Sequence, residues 1–202
     1  PSRLSPTQIG DSMAYFWKYQ EYVHGWKART HQRRQVAALQ VLARGLLRHP
    51  VKSLDCEDCG ELQACKPEHS TNKLMILAPP ASGKTMTVAQ FTAWMIGNST
   101  LRDEVPLVGY VSSATPVAED RALAIRKIIE GSAEYQQVFP TALPDKTKWG
   151  QGDWHLQRGP NDQGLPFPTM RAIGFEGQIL SYRWPTLIVI DDPHSQGENL
   201  GA

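Results

Sequence analysis

Lys73-Leu74-Met75-Ile76-Leu77-Ala78-Pro79-Pro80-Ala81-Ser82-Gly83-Lys84-Thr85 is the stretch on which the reading of this chain turns. Five mostly apolar residues run into a tight loop of small residues. Gly-Lys-Thr follows, and then a segment with apolar positions at helical spacing (Val88, Phe91, Met95). A short apolar run predicts a buried parallel strand over 73–77. The helix is expected over Thr85–Ile96, ended by Gly97. Strand, small-residue loop and helix is the context in which backbone N–H groups and a helix N-terminus hold phosphate. Gly83 lets the backbone approach closely, Lys84 neutralises phosphate charge, and the Thr85 hydroxyl is suited to Mg²⁺. Pro80, Ala81, Ser82, Gly83, Lys84 and Thr85 are therefore the expected nucleotide contacts. The usual pattern opens on Gly, where this chain has Ala78.

A second box lies 107 residues after Lys84. Thr186-Leu187-Ile188-Val189-Ile190 is the most β-branched run in the chain and reads as a central buried strand. It ends in Asp191-Asp192. In a nucleotide hydrolase with a phosphate loop, the first acid holds Mg²⁺ and the second orients and deprotonates the attacking water. Asp191 is thus the expected metal ligand and Asp192 the expected catalytic carboxylate. The second acid is more often Glu, one methylene longer.

Outward from these boxes, strands are expected over 106–111, 154–158 and 169–175, with a helix over 116–130 burying Ala118, Ala122, Ile125 and Ile129. Alternating strands and helices predict an α/β fold with a parallel sheet. Upstream, Ser5-Pro6 marks a helix start. Ile9, Met13, Phe16, Gln20 and Val23 then recur at helical spacing, thickened by aromatics that read as packing. A second helix is expected over 35–47. The organisation expected is a helical segment over 1–48, an inserted Cys-rich loop over 49–72 and a nucleotide-hydrolase core over 73–202. Pro1 in place of Met, and an end soon after a predicted strand, lead us to expect a fragment of a longer protein.

Charge is uneven. The whole chain carries +1, but residues 1–50 hold eight Lys/Arg against two acids, and the remainder nets −5. A basic lead segment suits either nucleic acid or an ordinary solvated helix surface. Three cysteines, an odd number, point to a reducing compartment rather than a disulfide framework. Cys56, Cys59, Cys65 and His69 span fourteen residues and suit tetrahedral Zn²⁺, the alternative being incidental cysteines in a loop. No apolar run is long enough for a membrane span. Gln20, Gln32 and Gln35 lie upstream of the loop, where ATPases with a phosphate loop of this kind often place a base-reading glutamine, though each is also an ordinary helix residue.

The ordered series of motifs resembles the ATPase domain of phage terminase large subunits. The residues that carry this are Leu74–Thr85, Tyr110-Val111-Ser112-Ser113-Ala114, Ser132 through Phe139-Pro140, Trp154, Thr169–Gly174, Gly177, Arg183 and Ile190-Asp191-Asp192-Pro193. The likeness covers about residues 30–195. It implies a RecA-like phosphate-loop NTPase core of the ASCE type, incomplete at its C-terminus. It also implies ATP and Mg²⁺ as ligands, and translocation of double-stranded viral DNA into procapsids by a homo-oligomeric ring on the portal protein with a terminase small subunit. A host-cytoplasmic location and a nuclease domain in the longer polypeptide follow from the same likeness. Many members place an arginine finger where this chain has Ala81; Arg183 is the substitute candidate in cis, and a neighbouring subunit is the alternative. A superfamily-2 helicase is the competing reading, from Asp191-Asp192-Pro193-His194 and Ser113-Ala114-Thr115, but in helicases these boxes occur in the opposite order. A third possibility is a non-hydrolysing fragment that binds DNA or serves assembly.

Overall fold

The computed structural model describes residues 3–27, 29–47, 73–79, 81–159, 162, 166–175 and 186–192. It is α/β, and the chain divides into two compact units: Pro1–Asn98 with Ser132–Pro140, and Ser99–Gly131 with Thr141–Ala202.

The first unit is helical. Helix α1 (Pro6–Ala14) opens on a capping box, Ser5 and Gln8 each satisfying the other's backbone N–H. The helical stripe predicted to continue through Val23 is interrupted at Tyr15, which is extended, and resumes as α2 (Phe16–His24). Such a break strands backbone groups inside the fold. The buried Gln40 of α3 (Thr30–Leu47) meets both sides of it: its oxygen accepts the Phe16 N–H at 2.8 Å, and its amide donates to the Ala14 carbonyl at 3.4 Å. Of the aromatics expected to pack, Phe16 and Tyr19 are fully buried, together with Phe91 and Trp94, whereas Tyr15, Trp17, Tyr22 and Trp26 are only half-buried. Phe16 lies edge-on to Phe91 at 5.2 Å between centroids. The Trp94 indole N–H donates to the Ser12 carbonyl at 2.7 Å.

Helix α4 (Lys84–Thr100) runs through Gly97 rather than ending there. The glycine is needed for packing, not termination: a Cβ on it would lie 2.4 Å from the buried Phe139 ring. Phe139 follows the short α6 (Ala133–Val138), which was not predicted. Tyr135 anchors that helix by donating to the Ala93 carbonyl at 2.9 Å.

Among the described residues, the second unit holds a five-stranded mixed sheet in the order β2-β3-β4-β1-β5. Strand β1 (Val108–Ser112) is buried at every position and pairs in parallel with β4 (Met170–Gly174) and β5 (Leu187–Ile190). The far side departs from the all-parallel expectation. Strand β3 (Asp153–Leu156) is antiparallel to β4, and β2 (Pro144–Trp149), absent from the sequence reading, is antiparallel to β3. Helix α5 (Thr115–Gly131) buries Ala118, Ala122, Ile125 and Ile129, as its spacing predicted. Arg126 of α5 donates to the Trp149 and Gly150 carbonyls at 3.1 and 2.7 Å, tying down the β2–β3 hairpin.

Two strand expectations are corrected. Residues 73–79 belong to no strand; Met75 and Leu77 are 81% and 87% exposed. A buried parallel strand needs ladder partners, and among the described residues this segment has no strand pairing. Second, among the described residues β5 ends the strand order rather than lying at its centre. Its burial alternates, with Ile188 44% and Ile190 58% exposed, while β1 and β4 take the interior.

Candidate nucleotide and metal site

In the first unit, the loop before α4 is built from unusual backbone. Ala81 has φ +59° and Gly83 φ +81°, both left-handed. For Ala81 this costs about 1 kcal/mol. The Ser82 N–H donates to the Pro79 carbonyl at 3.3 Å, closing the turn, and the Thr87 N–H reaches the Gly83 carbonyl at 3.0 Å. That bond makes Gly83 the cap of α4, so the N–H groups of the first turn lack acceptors within the helix. A seventeen-residue helix adds partial positive charge at the same end. Lys84 and Thr85 occupy that first turn, half-buried, and Ala81 is exposed. Pro80 lies outside the described residues.

In the second unit, the parallel strands β1, β4 and β5 end side by side. The Asp191 N–H donates to the Val111 carbonyl at 2.9 Å, prolonging the β5–β1 ladder by one residue. This holds the Asp191 carboxylate buried at the carboxyl end of the sheet, where open α/β sheets present ligand groups. The Tyr110 hydroxyl, from β1, donates to Asp191 Oδ2 at 3.0 Å. Burial, and then the Asp191 charge, push the Tyr110 phenol far above its ordinary range, so it stays protonated as a donor; the nearby Arg121 guanidinium opposes the shift. Asp192 is exposed and left-handed, φ +45°. Among the described residues, Ala81, Asp103 and Asp192 are the non-glycine residues with positive φ, and Ala81 and Asp192 fall one in each candidate box. Backbone strain gathers at functional sites because surrounding structure must hold it there. Gly174 ends β4 against Thr115: a Cβ would lie 2.8 Å from the Thr115 N, and the Thr115 hydroxyl accepts the Gly174 N–H at 3.2 Å.

The phosphate loop and the acid pair thus belong to different units, each ordered by its own contacts. In the second unit, Asp191 supplies a buried carboxylate that accepts from Tyr110, a kind of ligand Mg²⁺ takes. In the first, Thr85 supplies a hydroxyl at the start of α4. Arg183 and the four zinc candidates, Cys56, Cys59, Cys65 and His69, lie outside the described residues. Among the described residues, no group of three or more His, Cys, Asp or Glu is gathered for a metal, and no helix is long and apolar enough to cross a membrane. A cavity of about 460 Å³ in the second unit, lined by Thr100, Glu104, Leu156 and Arg158 among others, contains none of the candidate residues.

Tyr110 was missed as a site residue by the sequence. Tyr110 stood inside a recognised strand, but nothing local shows that its hydroxyl meets a carboxylate 81 residues later. Comparison with protein-family models, curated proteins and solved structures gave no match.

Proposed function

We propose that this chain is the ATPase portion of a viral genome-packaging motor of the terminase large-subunit kind, built on a phosphate-loop NTPase core. The observation that carries the nucleotide part is the loop before α4. Left-handed Ala81 and Gly83 turn the chain so that a long helix starts on Lys84 and Thr85. The packaging part rests on the ordered sequence motifs. In this reading Lys84 neutralises β- and γ-phosphate charge while backbone N–H groups of the loop and first helical turn hold phosphate oxygens. The Thr85 hydroxyl and the Asp191 carboxylate, the latter oriented by Tyr110, are the groups that would hold Mg²⁺. Bound Mg²⁺ neutralises charge on the phosphates. Asp192 aligns a water and takes its proton. Arg183, or an arginine of a neighbouring subunit, stabilises charge at the γ-phosphate. Double-stranded DNA, the portal protein, the small subunit and further copies in a ring are the partners this function entails, in the host cytoplasm and transiently on the procapsid. Zn²⁺ on Cys56, Cys59, Cys65 and His69 belongs to the same proposal, and metal analysis of the purified chain tests it.

Calorimetric titration of the full chain with Mg-ATP tests the core claim. Wild type should bind. Lys84→Ala should weaken binding roughly tenfold or more, the scale of a lost charged hydrogen bond. Asp192→Asn should bind ATP but lose whatever turnover the chain supports. Absence of binding by wild type, or full binding by Lys84→Ala, removes the nucleotide reading.

A further inference from the structure

Gln32 lies in the first turn of α3, fifty residues before the loop, and is buried. Its side-chain oxygen accepts the Arg29 N–H at 3.0 Å, and its amide nitrogen donates to the Ser82 carbonyl at 3.1 Å. The first bond is half of a capping box, made from the third helical position back to the cap. The two partners also settle which end is which. A backbone N–H can only donate and a carbonyl can only accept, so the reversed amide would lose both bonds.

The second bond acts on the loop's geometry. In a trans peptide the C=O and N–H point to opposite sides. With the Ser82 carbonyl held on Gln32, the Gly83 N–H is turned away from Gln32, across the peptide plane. Gly83 is closely fitted to this contact, since a Cβ there would lie 2.8 Å from Gln32 Nε2. Glycine therefore serves twice: it permits φ +81°, and it leaves room for the amide.

We propose that Gln32 is a positioning residue of the phosphate loop, locking the Ser82–Gly83 peptide so that the Gly83 N–H is presented to nucleotide phosphate. The inference rests on the nucleotide-binding reading above and differs from a base-reading role. It acts on phosphate alone, so its contribution is the same whatever base the nucleotide carries.

The test is calorimetric titration of the full chain with ATP, GTP and inorganic tripolyphosphate, each with Mg²⁺. Gln32→Glu keeps the acceptor for Arg29 but sets an oxygen against the Ser82 carbonyl. It should weaken all three ligands by a common factor of about ten. The Gly83 amide resonance should shift on adding tripolyphosphate to wild type and stay in place in the variant, while the rest of the spectrum remains dispersed. A loss confined to ATP, with tripolyphosphate unchanged, would make Gln32 a base contact and overturn the proposal; so would three unchanged affinities. Wild type binding none of the three ligands overturns the underlying nucleotide reading instead. Should Gln32→Glu fail to fold, Gln32→Ala, which frees the peptide without adding repulsion, takes its place in the same titrations. A common loss across the three ligands then supports the proposal, and an ATP-only loss or no loss overturns it.

Discussion

Asp191 is a buried carboxylate that accepts a hydrogen bond from a phenol of the neighbouring strand. Tyr110 donates to it at 3.0 Å, and burial keeps that phenol protonated. Partners that orient a metal ligand commonly matter about tenfold or more in metal affinity. Tyr110→Phe preserves the packing of the ring and removes only the donor. It should raise the Mg²⁺ concentration needed for half-maximal ATP binding by about tenfold, with little change in thermal stability. An unaltered Mg²⁺ titration would show that Asp191 needs no such support. Asp191 and Asp192 were legible as candidates because an apolar run ending in acids is a local pattern. Tyr110 was not, because its role is created by the pairing of β1 with β5.

At the scale of elements, two helical residues serve contacts that their spacing does not show. Gly97 sits in the last turn of α4, where intrinsic propensity still favours alanine, by up to about 1 kcal/mol. The Phe139 ring lies where the methyl would go, 2.4 Å from it, and is itself fully buried. Overpacking of that kind costs about 1–3 kcal/mol, so crowding outweighs propensity. Gly97→Ala should therefore destabilise the protein, read as a lower urea midpoint; a rise would mean Phe139 moves freely. Gln40 bridges the break between α1 and α2. Gln40→Leu leaves the Phe16 N–H and Ala14 carbonyl without that partner, at a cost of about 2 kcal/mol or more. Chemical denaturation measures this, and a neutral result would show that water or local rearrangement replaces the amide. Neither role could be read from spacing, which suggested one long helix and a terminating glycine.

Across the whole molecule, pH reports on the helical unit. His24, beside Tyr19 at 5.0 Å between ring centroids, has its pKa lowered to about 4 by burial, Glu134 opposing the shift. The unfolded chain takes up this proton near the ordinary value of about 6.5, the folded chain only near 4. Stability from the neutral ring is therefore full above about pH 6.5 and erodes as pH falls toward 4, where the loss is complete. The difference amounts to at most about 3 kcal/mol. Urea midpoints of wild type at pH 7.5 and 5 should differ by more than those of His24→Gln. Equal pH dependence in the two proteins would acquit His24.

The amino-acid sequence by itself determined what depends on near neighbours. The inward face of α5, the cap of α1, the apolar register of β1 and the residue types of the two boxes all follow from spacings of a few residues, where periodicity and turn chemistry act. Tertiary structure alone decided who meets whom across long separations. It left 73–79 outside the sheet and β5 at the end of the strand order, added β2 beside β3, split a predicted helix at Tyr15, and brought Gln32 to Ser82 and Tyr110 to Asp191. An apolar run shows that a strand can be buried; only the strands that pair with it determine on which sides it is.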